Sequence, residues 1–294
     1  MNLGRAKLIL IIAFAALNLF LGYHLFWPDF GRLTRVAVSA EELRLTEQML
    51  AENNYSLEAP INRAVQSIDF LSVSQSLAVQ RSVLLHFLRE GASINQAEDG
   101  NYYYIEGETA VIHASGLIAI LYNPPVVIGE NLYGMESREI RNAVDAFLAE
   151  KQLNFDGLNF DYLEKEEAST IVVYYNQIVN EAPVFSGQLN VIIINDRIQS
   201  VDLYWLEPVE RIPIREIRVI SAAEALSNLV YELGPAPEPQ MITKVELGYY
   251  SGDYDAEKWE IPPVWRILIN GQHYYINAFT GNKEQEIVIP EQLQ

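Results

Sequence analysis

The sequence predicts an α+β protein. It has an N-terminal transmembrane helix, then an exported body of helix-on-antiparallel-sheet units, the last two forming a repeat. Three observations predict it. Residues 8–27, LILIIAFAALNLFLGYHLFW, hold twenty positions without a charge. All 39 acidic residues lie beyond them. From Ser137 onward one order recurs: a capped helix, a strand, then a proline–valine–aromatic triplet leading into a hairpin.

At about 1.5 Å of rise per residue the uncharged run spans about 30 Å, the thickness of bilayer hydrocarbon. Arg5 and Lys7 precede it, and Trp27 and Pro28 close it, with tryptophan suited to the interface. The alternative is a cleaved secretory signal. The run is longer than a typical signal core, and its exit HLFWPDFG is bulky, unlike a small-residue cleavage site. There is no cysteine, which excludes a lipoprotein anchor. Arg5 and Lys7 are nearly balanced by Arg32 and Arg35, so flanking charge does not orient the helix. The body does: 18 basic against 39 acidic residues give it a net charge of −21. Anionic inner-leaflet lipid and nucleic-acid phosphate would both repel it. Residues 1–7 are therefore expected in the cytoplasm and the body outside the cell.

Residues 28–38 form a connector, and residues 39–135 an N-terminal α+β unit. Ser39 and Glu42 make a capping-box pattern that opens a helix to about Glu52, ended by Asn53-Asn54. Ile61 to Ser72 reads as extended. Ser76 to Arg89 reads as a second helix, stopped by Gly91. Tyr102–Glu106, Thr109–Ala114 and Gly116–Asn123 read as a small meander, broken by Pro124-Pro125.

The first repeat, 136–206, opens a helix at Ser137, with Ile140, Val144, Phe147 and Leu148 on one face. Strands follow at 158–163 and 169–178, then a hairpin turning at Asn195-Asp196. Residues 207–220 are a linker with Pro208 and Pro213. The second repeat, 221–294, starts with the cap Ser221 and Glu224 and reaches a helix stop at Gly234. A strand at 243–250 leads to a hairpin turning at Asn270-Gly271, a strong two-residue turn signal. Pro183-Val184-Phe185 corresponds in order to Pro263-Val264-Trp265, so Phe185 and Trp265 are expected in equivalent places.

No catalytic motif emerges. His24, His86, His113 and His273 form no metal-binding pair, and no nucleophile elbow, phosphate loop or dinucleotide fingerprint occurs. Asp156 and Asp161, and Asp253 and Asp255, lack the spacing of a calcium loop and read as solvated loops. Glu164 to Glu167 read as a charged turn. No catalytic residue, metal or cofactor is expected. The polar residue inside the anchor is more informative. Ile11, Ala15, Asn18, Gly22 and Leu25 fall at alternating four- and three-residue steps. That places them on one stripe, where small residues permit close approach and an amide finds a partner helix; the alternative is that Asn18 tolerates the bilayer alone through its own backbone.

The opening GRAKLILIIAFAALNLFLGY, followed by an exported body of this length with a helix–strand–hairpin repeat, resembles the YycI (WalI) family. The segment YYINAFTGNKE at 274–284 also resembles the closing hairpin of PepSY-like modules. The first resemblance implies a single-pass membrane protein that acts with a sister protein, YycH, on the sensor histidine kinase of the YycFG (WalRK) two-component system. It implies kinase contact through the transmembrane helix and pairing of exported domains with YycH. Two other classes remain: an exported PepSY-like binding or protease-inhibitor module whose helix is only a tether, and a wall-acting enzyme.

Overall fold

The computed structural model describes Phe14, Leu17 and residues 38–64, 68, 70–97, 100–113, 115–209, 219–250, 252 and 258–284. Among the described residues no helix is long and apolar enough to cross a membrane. The expected anchor lies outside them except for Phe14 and Leu17, and so do Ile11, Ala15, Asn18, Gly22 and Leu25.

Four helices occur among the described residues: α1 (Ala40–Glu52), α2 (Leu77–Arg89), α3 (Ser137–Glu150) and α4 (Ala222–Leu233). The early strands are β1 (Tyr55–Leu57), β2 (Leu71–Gln75), β3 (Ser93–Gln96), β4 (Gly100–Ile105), β5 (Glu108–His113) and β6 (Ile118–Val127). Then come β7 (Leu158–Glu166), β8 (Thr170–Val179), β9 (Ala182–Ile194), β10 (Arg197–Tyr204) and β11 (Leu206–Pro208). The last are β12 (Gln240–Tyr249), β13 (Trp259–Ile261), β14 (Pro263–Ile269) and β15 (Gln272–Asn277).

The fold is a mixed α+β one with a large, mainly antiparallel sheet. Eight strands pair in the order β3-β4-β5-β6-β10-β9-β8-β7, all antiparallel. Strict alternation along β9 puts Leu189, Val191 and Ile193 on one face. There they meet Val79, Val83 and Phe87 of α2 and Ile140, Val144, Phe147 and Leu148 of α3 in one apolar core. A second group, β15-β14-β12-β1, is covered by α4 through Leu226, Leu229 and Val230 against Trp265, Ile267, Ile269 and Ile276. Leu50 of α1 joins this second core.

The two halves meet at one parallel pair, Tyr249 with Val184, and at a small sheet in the order β11-β2-β13. Gly248 permits the approach: a Cβ there would lie 2.4 Å from the Pro183 carbonyl oxygen and 2.7 Å from the Phe185 ring.

Several expectations are corrected. The 39–135 stretch is shared out: α1 and β1 attach to the second half, β2 to the small sheet, and α2 with β3–β6 to the first half. Pro124-Pro125 does not break the meander. β6 runs through both prolines, because its pairing with β10 skips there, from Leu121–Ser200 to Val126–Ile198, so neither need donate to the ladder. Ser39 caps α1 by accepting from the Glu42 amide at 3.0 Å, but the Glu42 carboxylate takes the Ser221 hydroxyl at 2.9 Å. α3 does open at Ser137, and its cap is Glu136, reciprocated by Glu139.

The two proline–valine–aromatic triplets do not occupy matching places. Phe185 lies ten residues before its hairpin turn and Trp265 only five before its own. Phe185 clusters with Tyr250 and Val264, whereas Trp265 sits in the core beneath α4. The cause is an irregularity in β9, whose pairing with β8 jumps from Gln188 to Val184 and so leaves out Phe185, Ser186 and Gly187.

Candidate functional site

The helix-free faces of the two halves meet around one carboxylate. Asp161 lies in β7 at a bulge, where Phe160 pairs with Tyr175 and Tyr162 already pairs with Tyr174. A bulge re-aims the side chain it carries. Here it aims Asp161 at the second half. Its Oδ1 accepts from Lys244 Nζ at 2.6 Å and from an Arg266 guanidinium nitrogen at 2.7 Å. Its Oδ2 accepts from the other guanidinium nitrogen and from Asn176 at 2.7 Å. Lys244 and Arg266 stand on neighbouring strands β12 and β14, on the face turned away from α4. Glu246 accepts from Arg266 at 2.9 Å and pairs with Lys244 at 2.8 Å.

Two positive and two negative groups thus cancel, with Asp161 and Arg266 buried and Lys244 and Glu246 at the edge, partly exposed. The Asp161 and Arg266 side chains are only 3% and 2% exposed. Burial alone would raise the Asp161 pKa, but the Arg266 bonds, with Lys244, hold it down at about 2. Burial likewise opposes the Arg266 charge, and Asp161 more than compensates, raising its pKa. The guanidinium also stacks 4.1 Å over the Phe185 ring.

Aromatic side chains frame the cluster. Tyr162 stacks on Tyr174 at 4.4 Å and lies 5.1 Å from His273, and Tyr250 stacks on Tyr275 at 3.8 Å. Burial raises the pKa of both Tyr162 and Tyr174. Burial first, and Arg266 next, lower His273 to about 4, so this imidazole is neutral at pH 7. The register aligns Tyr162, Tyr174, Asn190 and Asp202 in a row across β7 to β10. Burial raises Asp202 to about 6, partly offset by His113.

The sequence pattern of the YycI protein family matches residues 35–279. The chain belongs to the YycI family. That membership points to the YycFG two-component regulatory system as its setting. No curated protein matches this YycI-family chain by sequence. Among solved structures, an uncharacterized protein from Eubacterium rectale aligns over 80% of this chain and 92% of its own. Its TM-score is 0.53 at 11% identity, so it shares the fold. YycH from Bacillus subtilis aligns over 73% of this chain and 53% of its own, with a TM-score of 0.47 at 12% identity. The C-terminal domain of YpeB from Bacillus megaterium aligns over 72% and 96%, with a TM-score of 0.40 at 13% identity.

Asp161 was expected in a solvated loop. The strand expected at 158–163 does begin at Leu158, but it bulges at Asp161, and in this YycI-family protein that residue is the centre of the buried cluster. Glu164 to Glu166 likewise belong to β7, and the turn is 167–169. Asp253 and Asp255 lie outside the described residues. Among the described residues no group of three or more His, Asp or Glu could hold a metal ion. His86, His113 and His273 sit in α2, β5 and β15, on separate elements. Lys244, Glu246, Arg266 and His273 were not foreseen as a group. One signal was available: Arg266 interrupts the otherwise apolar run PVWRILI, and a charge inside a buried strand needs a partner of opposite sign.

Proposed function

We propose that this YycI-family protein is a non-enzymatic, membrane-anchored regulator of the sensor histidine kinase of the YycFG system. In this reading residues 8–27 cross the membrane once, with the N-terminus in the cytoplasm and the body outside. Ile11, Ala15, Asn18, Gly22 and Leu25 form the stripe that meets the kinase's own helices, and the exported body pairs with a YycH-like sister protein. The two C-terminal helix-on-sheet units are read as PepSY-like modules serving that pairing. The family match over residues 35–279 is the observation that carries the reading. The buried cluster supports a structural role, since its charges neutralise one another and Asp161 stays ionised far below neutral pH.

The test replaces residues 8–27 with an unrelated transmembrane helix and measures kinase output together with membrane levels. Output should change to that of a strain lacking the protein while membrane levels hold. Unchanged output would instead favour the tethered binding or protease-inhibitor module. Asn18→Leu keeps the span apolar, so protein levels should hold while partner affinity weakens by up to about tenfold, ~1.4 kcal/mol. Gly22→Leu should weaken the contact by holding the helices apart. Phe20→Leu, off the stripe, should be nearly silent.

A further inference from the structure

On the helix-free face of the first sheet, the row that begins with Tyr162 and Tyr174 runs on through Asn190, Asp202, Ala119 and Val111 in successive cross-strand pairs. His113 lies two residues beyond Val111 on β5 and so shares the face. The middle of this row collects hydrogen-bonding groups that nothing satisfies. Asn190 and Asp202 are direct partners across β9 and β10. The Oδ1 of Asn190 is buried without a hydrogen-bond partner, and so is the Nε2 of His113. Among the described residues no hydrogen bond reaches the Asp202 carboxylate. The two cations of the seam, Lys244 and Arg266, are held by Asp161 and Glu246 instead. A buried acceptor without a donor is costly and needs a reason.

The surroundings suit a guest. Ala119, which pairs with Asp202, has the smallest side chain of the row and leaves room beside the carboxylate. Asn190, Asp202 and His113 are each partly exposed, so the place opens to solvent. Tyr174 borders it on the other side. Its ring stacks on Tyr162 at 4.4 Å, and its hydroxyl donates to Glu164 at 3.4 Å, which puts a second carboxylate behind it. Burial raises the Asp202 carboxyl to about 6, as befits a carboxylate that lacks a counter-charge.

We propose that this place binds an organic ammonium group, the protonated amine of a lysine side chain or of a peptide's amino terminus. An ammonium carries three donors and no acceptor. That matches the Asn190 Oδ1, the Asp202 carboxylate and the His113 Nε2, since an imidazole accepts at whichever nitrogen carries no proton. The Tyr174 ring adds the π face that favours a cation. A carboxylate or phosphate would meet acceptors within a body of net charge −21. A neutral sugar would leave Asp202 without a counter-charge. A metal ion does not fit, because among the described residues no group of three or more His, Asp or Glu could hold one. The inference rests on the body alone, so failure of the kinase reading would leave it standing.

The test titrates two amines into the full-length chain carrying isotope-labelled alanine methyls and follows them by NMR. Nα-acetyl-lysine methylamide presents the side-chain amine, and glycinamide presents the amino-terminal one. The Ala119 signal should shift and saturate, while that of Ala225, in the second core, should stay in place. The tighter of the two amines names the source. Nα-acetyl-norleucine methylamide, which lacks the charge, should not bind. Asp202→Asn keeps the shape of the side chain and removes its charge, so binding should weaken about tenfold or more. An amide is buried at less cost than a carboxylate, so this variant stays folded and lost binding is not lost structure. Asn190→Ala should weaken binding about fivefold. Glu224→Gln, at the exposed start of α4, should change nothing, which separates the site from the general acidity of the body. No saturable shift at Ala119 with either amine would overturn the proposal. So would equal binding of the norleucine compound, undiminished binding by Asp202→Asn, or an equal loss on Glu224→Gln.

Discussion

The side of the first sheet under α2 and α3 and the side of the second under α4 are alike. Both are lined by Leu, Ile, Val and aromatic side chains, and each is closed by helices whose apolar faces match. Their opposite sides differ. The first carries the neutral row Tyr162, Tyr174 and Asn190 with Asp202, and the second carries Lys244, Glu246 and Arg266. Apolar burial holds each half together, and it is non-directional. Between the halves, apolar contact at the small sheet is joined by a directional cluster, in which Asp161 of one half holds two cations of the other.

The sharpest way to break this contrast is at Asp161. Asp161→Leu leaves Arg266 buried without its bidentate partner, and loss of one member of a buried pair costs about 3–5 kcal/mol. Urea unfolding should show that loss. The double variant Asp161→Leu/Arg266→Leu should recover most of it, because the penalty lies in the orphaned charge and not in the absent bond. The pH dependence has a definite sign. The folded pKa is depressed to about 2, so the stabilisation is present above the unfolded value of about 3.9 and is lost as pH falls toward 2. The cost of a core substitution in either half should be the same across this range, whereas the cost of Asp161→Leu should shrink as pH falls toward 2.

Gly248→Ala comes next. The added methyl would meet the Pro183 carbonyl oxygen at 2.4 Å, and backbone cannot yield cheaply. A cost of about 2–3 kcal/mol is expected, by analogy with overpacked cores. Phe185 would be displaced from Arg266 as well, so quenching or shift of the Phe185 ring signals by NMR should accompany the loss.

The helix-covered sides were legible because their signal is periodic. Ile140, Val144, Phe147 and Leu148 announce a buried helix face at helical spacing, and Asn270-Gly271 announces a hairpin. The uncovered sides were not, because their logic is pairwise and long-range. Asp161 and Arg266 are 105 residues apart, and nothing local to NFDYL distinguishes a solvated aspartate from a bulged one. The Phe185–Trp265 correspondence failed for a related reason: a bulge shifts register without changing composition. The division of residues 39–135 was hidden because the parallel pairing of β1 with β12 joins Tyr55 to Gln240 across most of the body.

Asp202 sharpens the comparison from the neutral side. Its carboxyl is raised to about 6, above the unfolded value of about 3.9, so the folded state binds the proton more tightly. Stability should therefore fall as pH rises from about 4 to 6 and stay level above that, the reverse of Asp161. Asp202→Asn should stabilise the protein by up to about 3 kcal/mol at pH 7 and by only about 0.5 kcal/mol at pH 4, by the same linkage. Thermal melts of both proteins across this range test it. Equal gains at the two pH values would mean that the buried carboxyl is not the cause.

The smallest effect concerns the seam between α1 and α4, where two serines do the same local task in different company. Ser39 accepts from the Glu42 amide at 3.0 Å, and Ser221 accepts from the Glu224 amide at 3.0 Å. Loss of either cap should cost about 1 kcal/mol. Ser221 also donates to the Glu42 carboxylate at 2.9 Å, so it ties the start of one helix to the start of the other. Ser221→Ala should thus exceed Ser39→Ala by a few tenths of a kcal/mol, within the range of a net hydrogen bond to a partly exposed charge. A double-mutant cycle isolates that excess. Ser221→Ala and Glu42→Ala should be less than additive by about 0.5 kcal/mol, while Ser39→Ala and Glu224→Ala, which share no side-chain bond, should add. If both cycles are additive, the Ser221–Glu42 bond contributes nothing. The seam would then rest on apolar contact like that within each half, through Val38, Leu43 and Ala223 and through Leu50 in the second core.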